Sequence, residues 1–331
     1  MNVQRSDTFR KKFKNTVFMT MIPRYNFLIN RIWHDNSTGL YIPKIICIEP
    51  TNYCNAKCIM CPNEIITRDR GSMNWELFTG IIEQAKAFEG RGLTIFLSKD
   101  GEPLLDPMIF ERIEYAKKHL RRSIVNTVTN ASLLDEEKAD RLLATPLDCL
   151  TISIDGASET TYSKIRPGLE YSKVKANAES FLRKKKQMGS KLKVWLCMLE
   201  SPLNIHEQDE YLKQWGDKAD VILFKPMTNF LVRKTSVHGE EIGSKQLRRC
   251  AAAFHTMNIY WNGNIALCCW DYDNLVSLGN VADRSLLELF NGEGFKVVRE
   301  KMKKKECSDV YPCKMCSRIY GYDQDIGVTL W

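Results

Sequence analysis

Residues 49–64 read EPTNYCNAKCIMCPNE and bring three cysteines, Cys54, Cys58 and Cys61, onto one short segment. The segment directly follows an apolar run at 44–49 that is typical of a buried strand. Thiolates are soft ligands that select iron–sulfur clusters or zinc. Because the segment holds no fourth cysteine, a cluster bound here keeps one iron open for another ligand, as catalytic metal sites do. The segment therefore predicts a catalytic metal centre, with zinc or three unrelated thiols as the alternatives.

From this first strand onward, strands and helices alternate. Apolar or β-branched runs predict strands, and apolar positions at helical spacing predict helices. The predicted strands are 44–49, 93–97, 123–129, 149–154, 192–199 and 221–224, and the predicted helices are 74–88, 107–119, 135–144, 171–188 and 205–215. This order predicts an α/β fold, a partial (β/α)6 parallel barrel. Ligands of such folds bind at the carboxyl ends of the strands, where the three cysteines lie.

The composition argues against several classes of protein. With 331 residues, 44% of them hydrophobic and 27% charged, the chain is expected to be soluble and globular. The net charge of +8 falls in short runs on predicted helices, which favours solvated helix faces over a nucleic-acid surface. The apolar run 17–23 is too short for a transmembrane span and lacks the layout of a signal peptide. We therefore expect a cytoplasmic protein, in which twelve cysteines suit metal binding better than disulfides.

The chain divides into three predicted segments: 1–43, 44–235 and 236–331. The first mixes apolar and basic positions and predicts amphipathic helices, broken at Pro23, that pack on the barrel, close over a substrate or lie on a membrane; packing is favoured. The second is the barrel. The third lacks the alternation and predicts a small appended domain that begins with a hairpin, 257–261 and 264–268, turning at Asn262-Gly263.

The CxxxCxxC spacing after the first strand resembles the signature of the radical S-adenosylmethionine (SAM) superfamily. The resemblance implies that Cys54, Cys58 and Cys61 bind a 4Fe–4S cluster whose open iron chelates the amino and carboxylate groups of SAM. An electron from the cluster then breaks the S–C5′ bond and yields methionine and a 5′-deoxyadenosyl radical. It further implies an electron donor of the flavodoxin or ferredoxin type.

Further motifs carry the same resemblance. The second strand is followed by SKDGEPLLDP, which is similar to the family's GGEP motif and assigns Glu102 to the SAM ammonium, while Gly101 allows close backbone approach. By position, Ser153 at the end of the fourth strand is assigned to the ribose. Arg166 is assigned to the methionine carboxylate, to which a guanidinium fork is suited. Met60 lies where the family's backbone contacts adenine.

A second group of cysteines lies near the C-terminus. Residues 250–317 resemble the SPASM/twitch domain that binds auxiliary clusters, and most closely the one-cluster form of the aminocyclitol enzyme 2-deoxy-scyllo-inosamine dehydrogenase. The implied ligands of a second 4Fe–4S cluster are Cys250, Cys268, Cys313 and Cys316. Cys269 and Cys307 are ambiguous. A zinc knuckle that staples the tail is the alternative reading.

Four-thiolate ligation leaves this second cluster no open iron, so electron transfer is its expected role. Loss of a hydrogen atom, a proton and an electron converts a hydroxyl-bearing carbon to a carbonyl, and we therefore expect dehydrogenation of a sugar- or aminocyclitol-type hydroxyl. Asp271 and Lys225 are candidates for a base or hydrogen-bond partner of the substrate oxygen.

Two other outcomes stay open. In a radical epimerase or a peptide-modifying maturase, a cysteine such as Cys197 or Cys269 donates a hydrogen atom to the substrate radical. A buried thiol is more often part of the packing. A non-catalytic metal-binding module is the remote alternative, and it predicts no turnover of SAM.

Overall fold

The computed structural model describes residues 16–18, 34–35, 38–227 and 250–316. The strands are β1 Thr16–Phe18, β2 His34–Asp35, β3 Leu40–Tyr41, β4 Ile45–Ile48, β5 Thr94–Leu97, β6 Ile124–Thr129, β7 Cys149–Ser153, β8 Lys193–Glu200, β9 Val221–Pro226, β10 Thr256–Ile259 and β11 Ile265–Ala266. Among them a nine-stranded sheet runs in the order β1-β9-β8-β7-β6-β5-β4-β10-β11, and β2 pairs with β3 separately. From β4 to β9 each strand lies parallel to the next. This confirms the predicted α/β fold with a partial parallel barrel.

Helices connect the parallel strands from β4 to β9, and further helices lie in the C-terminal region. They are α1 Trp75–Ala85, α2 Ile109–His119, α3 Glu136–Ala144, α4 Glu159–Ile165, α5 Tyr171–Gln187, α6 Gln208–Trp215, α7 Ala252–His255, α8 Leu286–Phe290 and α9 Glu293–Lys304. Side-chain caps set several of their starts, since the side-chain oxygens of Asn74 and Asp135 accept hydrogen bonds from the Leu77 and Lys138 N–H groups at 2.7 and 2.9 Å. The observed bounds lie within a few residues of the predicted ones. The short helix α4 was not predicted.

The core forms because the strands are apolar on both faces. All four residues of β4 are buried, as expected of a parallel strand covered by helices. The helices contribute large side chains to the same core, including Phe78 on α1, Phe181 on α5 and Trp215 on α6. Within the described ranges, no helix has the length and apolarity needed to cross a bilayer.

The N-terminal prediction was wrong where the structure describes it. Amphipathic helices were expected in the segment 1–43, but β1 is a strand that pairs in parallel with β9, Thr16 lying opposite Ile222. β-Branched and aromatic residues at 16–18 suit a strand, and the open edge of β9 supplies hydrogen-bond partners that an isolated helix lacks. Pro23 and most of the expected helical segment lie outside the described residues.

The C-terminal hairpin is part of the barrel sheet rather than a separate unit. β10 lies parallel to β4, with Asn258 opposite Cys47, and β11 follows antiparallel to β10. The turn also differs from the predicted two-residue form. Gly263 has a φ of +87°, and its N–H bonds to the Tyr260 carbonyl at 2.9 Å, so Gly263 ends a three-residue turn. A hairpin that joins the sheet places the second cysteine group against the barrel.

Candidate active site

A cavity of about 260 Å³ opens at the carboxyl ends of the parallel strands. Residues predicted for the first cluster and for SAM all line it, together with two of the predicted catalytic residues: Cys54, Cys58, Cys61, Met60, Glu102, Ser153, Arg166, Lys225 and Cys197. Three further thiol and polar groups enter from β4 and the C-terminal hairpin: Cys47, Asn258 and Cys269. Strand ends that are adjacent in a parallel sheet converge at one edge, and this explains why residues far apart in sequence share the cavity.

The cysteine loop is held by backbone pairing with the segment after α4. Lys57 N–H donates to the Pro167 carbonyl and Ile59 N–H to the Ile165 carbonyl, both at 3.0 Å. Burial raises the pKa of the Cys54 thiol to about 11 and also raises the pKa values of Cys58 and Cys61. Metal binding deprotonates thiols, so buried thiols kept on one loop suit a soft metal cluster.

In the part of the chain that the structure describes, no three His, Cys, Asp or Glu side chains stand close enough to share a single metal ion. The three thiols of the loop instead line the cavity of about 260 Å³. Their donor chemistry fits an iron–sulfur cluster with an open position, as the sequence predicted.

Glu102 is fully enclosed and oriented by the end of β6. Its carboxylate accepts hydrogen bonds from the Thr129 hydroxyl at 2.7 Å, from Asn130 N–H at 2.8 Å and from Leu104 N–H at 3.1 Å. Burial raises the pKa of this carboxyl. A carboxylate has about four acceptor positions, so these three bonds leave room for one more donor, such as an ammonium group.

Gly101 allows a close backbone approach, as the sequence predicted, and the backbone that approaches is that of the cysteine loop. A Cβ at this position would meet the Thr51 carbonyl oxygen at 2.2 Å and the Tyr53 carbonyl oxygen at 2.8 Å. Glu102 N–H also donates to the Tyr53 carbonyl at 2.9 Å. The glycine therefore lets its loop pack directly against the backbone of the cysteine loop, and so fixes Glu102 relative to the three thiols.

Arg166 is held by a buried ion pair. Its Nε donates to Asp155 Oδ2 at 2.7 Å, and the other oxygen of Asp155 accepts from Leu199 N–H at 2.7 Å. Both side chains are buried, and Arg166 lines the cavity whereas Asp155 does not. One of the five guanidinium donors is thus used for orientation, and the others suit a carboxylate. Ser153 lines the same cavity from the end of β7.

The sequence patterns did not predict a buried group of charged residues that lies beside the cavity. Arg68 bonds both oxygens of Glu49, at 2.6 and 2.9 Å, and Asp100 at 3.0 Å; Lys99 bonds Asp100 at 2.6 Å. Arg68 and Lys99 lie 4.1 and 4.4 Å from the centre of the Tyr260 ring. Charged residues at the ends of two predicted buried strands were the signal that could have revealed this group. It also explains why an aspartate stands at position 100 in place of glycine.

Arg68 connects the barrel to the C-terminal domain. Its Nε donates to the Tyr272 carbonyl at 2.7 Å, and Asp273 accepts from Thr67 N–H at 2.6 Å. Asp271, by contrast, is fully buried and does not line the cavity. Its carboxylate accepts from Leu275 N–H at 2.8 Å and thereby shapes the turn after the hairpin.

The second cysteine group surrounds its own cavity of about 30 Å³. The four predicted ligands line it: Cys250, Cys268, Cys313 and Cys316. The remaining lining is mostly apolar, including Leu267, Trp270 and Met302. Cys269 lines both cavities, so the two sites are neighbours. Cys307 is buried nearby, and burial is the main cause that raises the pKa of its thiol. Four soft donors fit a closed cluster.

The fold and the two cysteine sites define an iron–sulfur protein built on a partial parallel barrel. The model of the radical SAM superfamily matches residues 48–192, and that of the SPASM iron–sulfur cluster-binding domain matches residues 250–317. The chain carries a radical SAM domain and, C-terminal to it, a SPASM domain. Its cofactors are accordingly SAM and two 4Fe–4S clusters. The boundaries at residues 43 and 235 stay predictions.

Known proteins resemble parts of the chain. The tungsten-containing aldehyde ferredoxin oxidoreductase cofactor-modifying protein of Pyrococcus furiosus is 27% identical over 136 residues, 40% of this chain and 37% of that protein. The first curated relatives are matched over only 34–37% of their own length.

Solved structures share the fold at low identity. BtrN in complex with AdoMet and 2-DOIA has a TM-score of 0.62 at 16% identity, covering 86% of this chain and 96% of BtrN. SuiB of Streptococcus suis bound to precursor peptide SuiA has a TM-score of 0.56 at 16% identity, covering 80% of this chain and 68% of SuiB. These neighbours therefore bind substrates of two kinds, a small molecule and a peptide.

Proposed function

We propose that this radical SAM enzyme dehydrogenates a hydroxyl-bearing carbon of a sugar- or aminocyclitol-type molecule. The observation that carries the proposal is the adjacency of the two cysteine sites, which share Cys269 in their linings. A substrate in the larger cavity then lies between the site that starts the reaction and a four-thiol site suited to electron transfer. The fold similarity to BtrN supports the substrate class.

Residues of the larger cavity hold the cofactors. Cys54, Cys58 and Cys61 bind the first cluster, while Glu102 accepts the SAM ammonium and Arg166 the carboxylate. Ser153 donates to the ribose, and Met60 lies beside the adenine. When bound, these cofactors would supply a 5′-deoxyadenosyl radical for hydrogen-atom abstraction and a second cluster as a one-electron acceptor. Cys250, Cys268, Cys313 and Cys316 bind that second cluster.

Polar side chains of the cavity handle the hydroxyl group. Lys225 at the end of β9 is buried, lines the cavity and donates a hydrogen bond to the substrate oxygen. Asp100 is the lining carboxylate that remains once Glu102 is assigned to SAM, and it accepts the hydroxyl proton. Loss of one hydrogen atom, one proton and one electron balances the oxidation of alcohol to carbonyl. Asp271 does not line the cavity and takes no direct part in this scheme.

The expected partners follow from the same proposal. A one-electron donor of the flavodoxin or ferredoxin type reaches the first cluster from the side of the cysteine loop, where the side chain of Lys57 is 69% exposed. Such donors act in the cytoplasm, which is the location we propose for this enzyme. No nucleic-acid partner is proposed.

Deuterium transfer tests the reaction. We would incubate the anaerobically reconstituted enzyme with SAM, dithionite and 2-DOIA or related polyols deuterated at each hydroxyl-bearing carbon. Deuterated 5′-deoxyadenosine formed together with one equivalent of a carbonyl product is the expected result. Cleavage of SAM with no oxidised product from any polyol would contradict the proposed substrate class.

A second candidate function is epimerisation. Cys197 lines the cavity from β8, and its register partner on β7 is Ser153, so a thiol lies beside the proposed ribose site. Burial raises the pKa of this thiol to about 11, which keeps it protonated and able to donate a hydrogen atom. In heavy water, epimerisation places solvent deuterium on the substrate carbon. Cys197→Ala should abolish that incorporation, whereas Cys149→Ala, a buried thiol outside the cavity, should not.

Peptide modification would follow the same chemistry on a larger substrate, as the likeness to peptide-bound SuiB allows. Mass spectrometry of candidate peptides incubated with the enzyme tests it. A mass loss of two hydrogens or a solvent deuterium in a peptide, with no change in polyols, would select this function.

A further inference from the structure

Arg299 on α9 is a buried cation that has no acidic partner among the residues that the structure describes. Its side chain belongs to a residue that is 1% exposed, and its Nε donates to the Ala253 carbonyl at 2.8 Å. Within the same described ranges, the terminal nitrogens Nη1 and Nη2 have no hydrogen-bond partner. Every other buried arginine of the described ranges, namely Arg112 and Arg166, is paired with an aspartate. Arg299 is therefore unusual within this protein.

Aromatic rings surround the guanidinium. Its central carbon lies 4.3 Å from the centre of the Tyr41 ring, 4.4 Å from that of Phe290 and 5.0 Å from that of Phe295. Ring faces attract a cation, but they replace only part of the hydration that burial removes. In agreement, burial lowers the pKa of Arg299 to about 10. A nearby negative charge would offset the rest of this cost.

The second cysteine site supplies such a charge. Ala253, whose carbonyl Arg299 binds, lines that site, and so does Met302, less than one helical turn further along α9. Four thiolates around a 4Fe–4S cluster give the site a net negative charge, and reduction adds one more. A fixed positive charge next to the residues that line the site stabilises the reduced, more negative cluster more than the oxidised cluster.

We infer that Arg299 is the buried counter-charge of the auxiliary cluster and raises the reduction potential of that cluster. The inference rests on the proposed ligands Cys250, Cys268, Cys313 and Cys316. A higher potential makes the cluster a better acceptor of the electron that dehydrogenation releases. Arg299 is thus a positioning residue that acts on the cluster through its charge, since it contacts neither the substrate nor the cysteine ligands.

Redox titration of the auxiliary cluster tests this inference. In full-length chain with Cys54, Cys58 and Cys61 changed to alanine, the remaining cluster is titrated anaerobically and followed by electron paramagnetic resonance. Arg299→Met is expected to shift the reduction equilibrium at least about tenfold toward the oxidised form, which is about 59 mV for a one-electron couple. Arg299→Lys keeps the charge and should retain most of the potential.

Lys303→Met is the matched control. It removes one positive charge from the same helix, but the Lys303 side chain is 49% exposed and is screened by water, so the potential should stay near that of the parent. An unchanged potential in Arg299→Met, or an equal shift in Lys303→Met, would overturn the inference.

Loading and folding are measured separately. Iron and sulfide counts near four per chain show that the auxiliary site is filled; a parent chain that takes up no iron would refute the proposed ligands and, with them, the role of Arg299, whereas a filled site with an unchanged potential would refute the role of Arg299 alone. Should Arg299→Met not fold, Arg299→Gln, which keeps an uncharged donor for the Ala253 carbonyl, carries the same test. If both neutral variants fail to fold even without iron, Arg299 is a structural residue and the inference is wrong.

Discussion

The two cysteine sites differ in how they are built and in what surrounds them. Three thiols of the first site come from one loop and border a cavity of about 260 Å³ whose lining includes several charged and polar groups, among them Glu102 and Arg166. The second site gathers four thiols from three separate stretches around about 30 Å³ with mostly apolar walls. Space and polar partners beside the first site allow a ligand to bind there. Full thiol ligation and apolar walls suit the second to electron transfer alone.

The difference also shows in how each site is supported. The first is held by local backbone pairing and by Gly101, whose missing side chain admits the cysteine loop. The second depends on the hairpin that joins the barrel sheet through β10. Arg68 links the two regions, because it binds Glu49 and Asp100 on one side and the Tyr272 carbonyl on the other.

Removing one thiol from each site gives the largest expected contrast. Two 4Fe–4S clusters correspond to about eight irons per chain. Cys58→Ala and Cys316→Ala should each lower the count to about four, but only Cys58→Ala should abolish SAM cleavage. The Cys316→Ala variant should still produce 5′-deoxyadenosine from SAM but should no longer produce the oxidised product. Iron analysis and chromatography measure both effects, with Cys149→Ala as a control that lines neither cavity. Equal loss of SAM cleavage in both variants would contradict the separation of roles.

Breaking the link between the two regions should destabilise the whole protein. Arg68→Met leaves Glu49 buried without its partner, and loss of one member of a buried pair costs about 3–5 kcal/mol. Urea unfolding of the iron-free protein measures this. Arg141→Met, which breaks an exposed pair with Glu111, should change the free energy of unfolding by about 1 kcal/mol at most. Similar values for the two variants would show that the link does not support the fold.

The openness of the first site can be tested by ligand binding. Glu102→Gln removes the charge proposed for the SAM ammonium and should weaken SAM binding by about 1.5–3 kcal/mol, the usual contribution of a charged hydrogen bond. Calorimetry on the reconstituted, oxidised enzyme gives the affinity. Glu64→Gln changes a carboxylate of the adjoining segment that does not line the cavity and should bind normally. Unaltered affinity in Glu102→Gln would remove Glu102 from the SAM site.

The smallest expected effect concerns acid stability beside the second site. His255 ends α7, and burial lowers its pKa to about 4, whereas the unfolded value is 6.5. Between these values the unfolded chain binds a proton that the folded chain does not, so stability falls as the pH drops below 6.5. The loss reaches about 1.4 kcal/mol by pH 5.5. His255→Gln should remove this part of the pH dependence of urea unfolding; an unchanged slope would show that another group titrates.

Much of the barrel could be predicted because its signals are local. Fully apolar runs such as Ile45–Ile48 are buried wherever a parallel sheet forms, and apolar positions at helical spacing indicate helices such as Trp75–Ala85. The first cysteine site follows from the same kind of signal, since its thiols share one loop. Local signals could not predict residues 16–18 as a strand, because this strand forms only by pairing with the edge strand β9.

The sequence by itself determined the class of protein, the barrel, the three-thiol loop and the residues that border it, because spacing along one chain segment fixes what lies at a strand end. Only the tertiary structure decided that the hairpin completes the sheet, that Arg68 and Lys99 form a buried charged group, and that Asp271 lies behind the cavity while Cys269 borders both sites. These contacts join residues that are distant in sequence and lie on different helices and strands. No local sequence pattern encodes them, because burial and charge pairing are properties of the assembled fold.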